Sequence, residues 1–114
     1  MKIGYKVLSN DLSSVAQRLA ISISDYKDCI MKYSLTKVNR RRKGYGPLGV
    51  FDDIKRAKTW KGIMSNAHTH NFRIFKVVYN PSKDNYFWTP THSKISTVKD
   101  TCYADDMMLL EEIR

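Results

Sequence analysis

The 114-residue sequence has few of the features that would assign it quickly to a class. It carries two cysteines, Cys29 and Cys102, far apart in the chain, so no disulfide framework is written into it. The longest uninterrupted apolar runs are a handful of residues, too short for a membrane-spanning helix. The opening Met1-Lys2-Ile3-Gly4-Tyr5-Lys6 lacks the apolar stretch of a secretory signal and does not fit a myristoylation signal. These absences set the expectation of a cytoplasmic chain with reduced thiols and no membrane partner. Three prolines, five glycines and no repeat or low-complexity tract leave out collagen-like, linker-like and solenoid architectures.

Acidic residues are also scarce, with 11 against 20 lysines and arginines, for a formal net charge of +9. The excess is local. Between Lys32 and Lys61 ten basic residues face only Asp52 and Asp53, whereas between Asp100 and Arg114 five acids face one arginine. Such lopsidedness favours an anionic partner or head-to-tail contact between copies.

What is present suffices for one folded domain over residues 1–114. Hydrophobic residues make up 42% of the chain, enough for a packed core without covalent staples. Alternation at Ile3, Tyr5 and Val7 predicts a first strand. Ser9-Asn10-Asp11 is turn or cap chemistry, and Leu12, Val15, Ala16, Leu19 and Ile23 recur at helical spacing, predicting a helix over 12–23. Alternation around Cys29, Met31 and Tyr33 suggests a second strand. A polar, basic loop at about 36–46 follows, closed by Pro47. Leu48 to Phe51 reads as a short buried strand, and Asp52 or Asp53 as the cap of a helix running to about Gly62. Residues 65–71 read as loop, 72–79 as the clearest strand, and 80–85 as a turn. Tyr86, Phe87 and Trp88 read as a short returning strand, 89–101 as irregular, and 107–113 as a last strand or a short helix. The expected class is α+β, a mainly antiparallel or mixed sheet with about two helices.

The strongest functional signal is the run Arg40-Arg41-Arg42-Lys43, with Lys37 before it and Lys55, Arg56, Lys58 and Lys61 after it. Adjacent like charges repel unless a polyanion or an acidic surface neutralises them, and arginine forks suit phosphate or carboxylate. Tyr45 and Trp60 lie close enough in sequence to stack on bases. The expected partner is therefore nucleic acid, a nucleoprotein complex or an acidic protein surface, weighed evenly against a merely solvated loop. Tyr86, Phe87 and Trp88 are candidates for a protein interface with a host or viral partner.

Other groupings are weaker. His68 and His70, with His92 and the cysteines, lack the paired ligands of a zinc site, so no metal and no cofactor are expected. Asp52-Asp53 and Asp105-Asp106 are paired acids whose bland readings, a helix cap and a solvated surface, come first. Gly44, Gly46 and Gly49 spell a dinucleotide-type fingerprint, but they precede a strand instead of joining strand to helix. No catalytic residues are assigned.

Taken together, Gly4-Tyr5-Lys6-Val7-Leu8, Leu12-Ser13-Ser14, Met31-Lys32-Tyr33, Gly44 through Asp53 with Ala57 and Trp60, Phe72 to Val78, and Ala104 through Glu111 resemble a group of small uncharacterised phage and bacterial proteins. That resemblance implies a fold and a viral or mobile-element origin, and no activity. The glycine-bearing strand ending in Val50-Phe51, the Ala-bearing helix after it and the strand Arg73-Ile74-Phe75-Lys76-Val77-Val78 are, more distantly, similar in organisation to ADP-ribosyltransferase-like domains. That similarity would cast Tyr5, Tyr33 or Ser34, and Glu111 in dinucleotide-handling roles, although the first-strand His or Arg of those domains is replaced here by Tyr5-Lys6.

Overall fold

Strand β1 (Lys2–Ser9) forms where alternation predicts it and pairs antiparallel along its whole length with β4 (Phe72–Pro81). In the computed structural model, residues 1–13, 31–68, 71–89, 92–95 and 101–114 are described. Most of the helix expected over 12–23 lies outside them, as do Cys29 and His70. The part that is described does not start a helix. Leu12 has a left-handed backbone (φ 69°), its amide donates to the Ser9 carbonyl, and Ser13 bridges to Lys32. The Ser9–Asp11 signal is thus a turn, tied by the Ser13 amide to Asp11 Oδ1 at 3.0 Å. Of the second strand expected around Cys29, Met31 and Tyr33, the described residues hold one isolated bridge, at Lys32, and the part before Met31 lies outside them.

The remaining elements are β2 (Asn39–Arg40), β3 (Leu48–Val50), α1 (Ile54–His68), β5 (Phe87–Thr89), β6 (His92–Ile95) and β7 (Cys102–Ile113). Asp53 caps α1 as its position predicts: its Oδ1 accepts the Lys55 amide at 2.7 Å, satisfying one of the first-turn donors. The helix passes through Gly62 and takes in residues expected to be loop, because Ala57, Trp60 and Met64 keep an apolar stripe on the sheet. Residues 92–95 form a strand, paired with β5 in a two-stranded sheet of their own, where irregular chain was expected.

The main sheet has the order β1–β4–β7–β2, with β3 also on β7, and every pairing is antiparallel. The domain is α+β, with one helix among the described residues. Strand β7 is central. It lies against β4 on one side, and on the other against β3 through 102–104 and β2 through 106–107. The sheet curls until Phe51, just past β3, meets β1 again through paired bonds with Tyr5 of 2.7 and 2.9 Å. Gly4 makes that closure possible, since a Cβ there would lie 2.8 Å from the Phe51 carbonyl.

The curl gives the sheet an inner and an outer face. Leu8, Leu48, Val50, Phe75, Val77, Tyr79, Met107 and Leu109 fill the inner one with Tyr33. Val7, Phe51, Phe72 and Ile74 on the outer one meet Ala57 and Met64 of the helix.

Candidate anion-binding surface

The basic loop is held from within by two polar side chains. Asn39 is buried, and its carboxamide accepts the Ser34 amide at 2.7 Å while donating to the Ser34 carbonyl at 3.0 Å and to the Met107 carbonyl at 3.4 Å. A buried amide so satisfied costs little and fixes the chain where β2 joins β7. Arg41 does the same for the next segment. Its Nη1 donates to Asp84 Oδ2 at 2.8 Å, Asp105 Oδ1 at 3.0 Å and Ser82 Oγ at 3.3 Å; its Nε and Nη2 hold the Tyr45 carbonyl at 3.2 and 2.9 Å. The guanidinium also lies 5.7 Å from the Trp88 ring centre. Partial burial works against its charge, but the bonds to Asp84 and Asp105 outweigh that and hold its pKa above the usual arginine value. Arg41 in turn holds the Asp105 carboxyl below the ordinary range, helped by Ser82. Of the four consecutive cations, this one is a latch turned toward the protein.

The others differ. Arg40 is exposed, in register with Asp106 of β7. Lys37 and Lys43 are exposed. Arg42 stacks on the Tyr45 ring with its guanidinium carbon 3.9 Å from the centroid, a cation–π geometry. A turn closed by the Tyr45 amide on the Arg42 carbonyl at 3.0 Å brings the two together, with Gly44 supplying the positive φ (81°) that turn requires.

The aromatic strand belongs to the same assembly. The Gly46 amide donates to the Trp88 carbonyl at 2.8 Å, and a Cβ at Gly46 would meet the Trp88 amide nitrogen at 2.6 Å. Phe87 and Trp88 are half-buried, while Tyr86 is exposed. The basic loop and the aromatic segment, two separate features in the sequence, are thus one unit bound together by Arg41 and Gly46.

Helix α1 is elsewhere. Lys55, Arg56 and Lys58 are exposed and Lys61 half-buried, on a helix packed against β1 and β4, whereas the loop is fixed to β7 and the chain after β4. Trp60 packs into the helix–sheet core. The ten nominated basic and aromatic residues therefore fall into a loop group (Lys37, Arg40, Arg41, Arg42, Lys43, Tyr45) and a helix group (Lys55, Arg56, Lys58, Lys61).

Sequence reasoning missed Lys6. It follows Gly4 and precedes Leu8 in the inward register of β1, and its Nζ donates to the Gly49 carbonyl at 2.6 Å and lies 5.2 Å from the Tyr33 ring centre. Burial of the ammonium pushes its pKa down to about 8. A lysine on an inward-facing position was the available signal. For Asp84, Ser82 and Asp105 there was none, because they converge on Arg41 from separate stretches of chain. Of the residues suggested by the transferase-like similarity, Tyr5 and Glu111 both stand opposite Lys76, while Tyr33 lies in the inner core. Among the described residues no group of three or more His, Cys, Asp or Glu could hold a metal ion. Comparison with protein-family models, curated proteins and solved structures finds no match, which leaves the chemistry of the surface itself as the guide to function.

Proposed function

We propose that this chain is a non-enzymatic binding protein that engages nucleic acid, alone or within a nucleoprotein complex, through Lys37, Arg40, Arg42 and Lys43 with Tyr45. The resemblance to small phage proteins fits an accessory role in a virus-encoded set. One observation carries the reading: the Arg42 guanidinium sits over the Tyr45 ring, 3.9 Å from its centre, next to the exposed Arg40 and Lys43, on a loop whose backbone Arg41 and Asn39 hold in place. A stacked cation–aromatic pair offers a charge for phosphate and a flat face for a base. Holding it ready lowers the ordering cost of binding. The aromatic segment favours a protein partner less, because Phe87 and Trp88 are half-buried and Trp88 serves the latch.

The test is fluorescence anisotropy with single- and double-stranded DNA and RNA at two salt concentrations. Binding that falls steeply with salt is expected, since each phosphate contact releases a counterion. Replacing Arg40, Arg42 and Lys43 together by glutamate, with Arg41 kept, should abolish it in a protein whose circular dichroism is unchanged. Binding that survives this substitution, or its absence at low salt, would refute the proposal.

A further inference from the structure

The chain leading from β4 into β5 passes beside the basic loop and is fixed there at three points. The Ser82 amide donates to the Tyr103 carbonyl at 2.9 Å, and Ser82 Oγ accepts the Asp84 amide at 3.1 Å. Asp84 Oδ2 accepts Arg41 Nη1 at 2.8 Å. Four residues on, the Trp88 ring centre lies 5.7 Å from the same guanidinium, and the Trp88 carbonyl accepts the Gly46 amide at 2.8 Å. Residues 84 and 88 thus both rest on Arg41, and the segment between them is an arch with Tyr86 at its midpoint. Two residues of chain reach at most about 7 Å, so Tyr86 is tethered to the latch from either end.

Tyr86 is 38% exposed, which makes it the most exposed aromatic residue among the described ones. Its ring meets solvent on a backbone pinned at both ends, next to the loop that carries Arg40, Arg42 and Lys43. The arch does not turn this neighbourhood negative. Asp84 and Asp105 are both bonded to Arg41, and the exposed Lys83 balances the second of them, so the excess of cations on the loop is kept. The Tyr45 ring already carries the Arg42 guanidinium on one face.

We infer that Tyr86 is a second base-stacking platform of this surface, and that the surface therefore takes an unpaired strand in preference to a duplex. The inference rests on the nucleic-acid reading above and adds what the ligand must offer: bases whose faces are uncovered. Phosphates are presented by paired and unpaired strands alike, and loop cations alone would discriminate little between them. An aromatic ring discriminates, because it stacks on a base only where no neighbouring pair covers that base, and it does so with any of the bases.

Anisotropy titrations of the full chain test this with three probes of equal length, each made as DNA and as RNA: a single strand, the same backbone without its bases, and the duplex. The wild-type chain is expected to bind the base-bearing single strand at least about fivefold more tightly than either other probe. Tyr86→Ala should weaken binding of that strand by about fivefold or more and leave the baseless strand and the duplex within about twofold of wild type. The dependence of affinity on salt should not change, since no phosphate contact is removed. Tyr86→Phe, which keeps the ring, should bind like wild type. An equal loss on the base-bearing and baseless strands would make Tyr86 a support of the loop and overturn the inference. So would Tyr86→Ala binding like wild type, or a duplex bound as tightly as the single strand. In each of these cases the wild-type chain still binds and the nucleic-acid reading stands. A wild-type chain that binds none of the probes at low salt removes that reading and this one with it.

Discussion

The loop at 37–45 and the first turns of α1 carry nearly the same number of cations, and the molecule treats them differently. On the helix, Lys55, Arg56 and Lys58 are exposed, and Ala57, Trp60 and Met64 do the packing against the sheet. In the loop, charge and scaffold are not separable. Arg41 is 24% exposed and ties together Asp84, Asp105, Ser82 and the Tyr45 carbonyl, and the outward cations stand where it puts them. A count of basic residues cannot make this distinction, because it rests on which one of four consecutive cations turns inward.

The comparison breaks most visibly in stability. Arg41→Met should lower the unfolding free energy by about 1–2 kcal/mol, the scale of lost charge-assisted hydrogen bonds with one partner still half in water. Lys58→Met should change it by under about 0.5 kcal/mol. Urea denaturation of the two variants checks this, and equal effects would erase the difference between the regions.

Binding sharpens the same contrast. Replacing Arg40, Arg42 and Lys43 by alanine should weaken single-stranded DNA binding by about tenfold or more through lost phosphate and stacking contacts. Replacing Lys55, Arg56 and Lys58 should cost a few-fold at most, through the general field of the protein. Anisotropy titrations at matched salt decide it, and a larger loss from the helix variant would move the interface to α1.

The smallest expected effect is on acid sensitivity. Asp105 has a depressed pKa in the folded chain, so its contribution to stability is present above the unfolded carboxylate value and fades as pH falls through the folded one. Between about pH 5 and 3 the wild type should lose stability more steeply than Arg41→Met, in which the depressing partner is gone. Parallel slopes in thermal unfolding across that range would show that the latch does not set the carboxyl's affinity for protons.

Much of the fold was legible where local signals agree with the final packing. Strands β1, β3 and β4 followed from alternation and apolar runs, and Asp53 from cap chemistry. What was hidden depends on distant partners. Strand β2 is two residues long and exists because Asn39 and Arg40 find β7, so no periodicity announces it. Strand β7 looked as much like helix as strand because its register against β4 slips twice, leaving Asp105 and Leu110 without opposite numbers and breaking the two-residue alternation. The first slip also presents Asp105 to Arg41, so the irregularity that obscured the strand helps make the latch. The basic run itself was plain in the sequence; its division into a latched Arg41, a half-buried Arg42 on Tyr45 and the exposed Arg40 and Lys43 was not.

The position of β7 bears on the order of events during synthesis. It follows every strand it pairs with in the chain, yet it lies in the middle of the sheet, between β4 and the pair β2 and β3. Until residues 102–113 emerge, β4 has a partner only in β1, and the basic loop has neither the β7 backbone nor Asp105 to close on. The nascent chain therefore holds an exposed hairpin-like ribbon of long sequence separation, and the sheet and the loop form together only after elongation has passed them. Folding dominated by such distant pairings is slow, and its unpaired strand edges are open to aggregation. Shielding of the nascent β4 until β7 has emerged is what this topology asks of the cell that makes it.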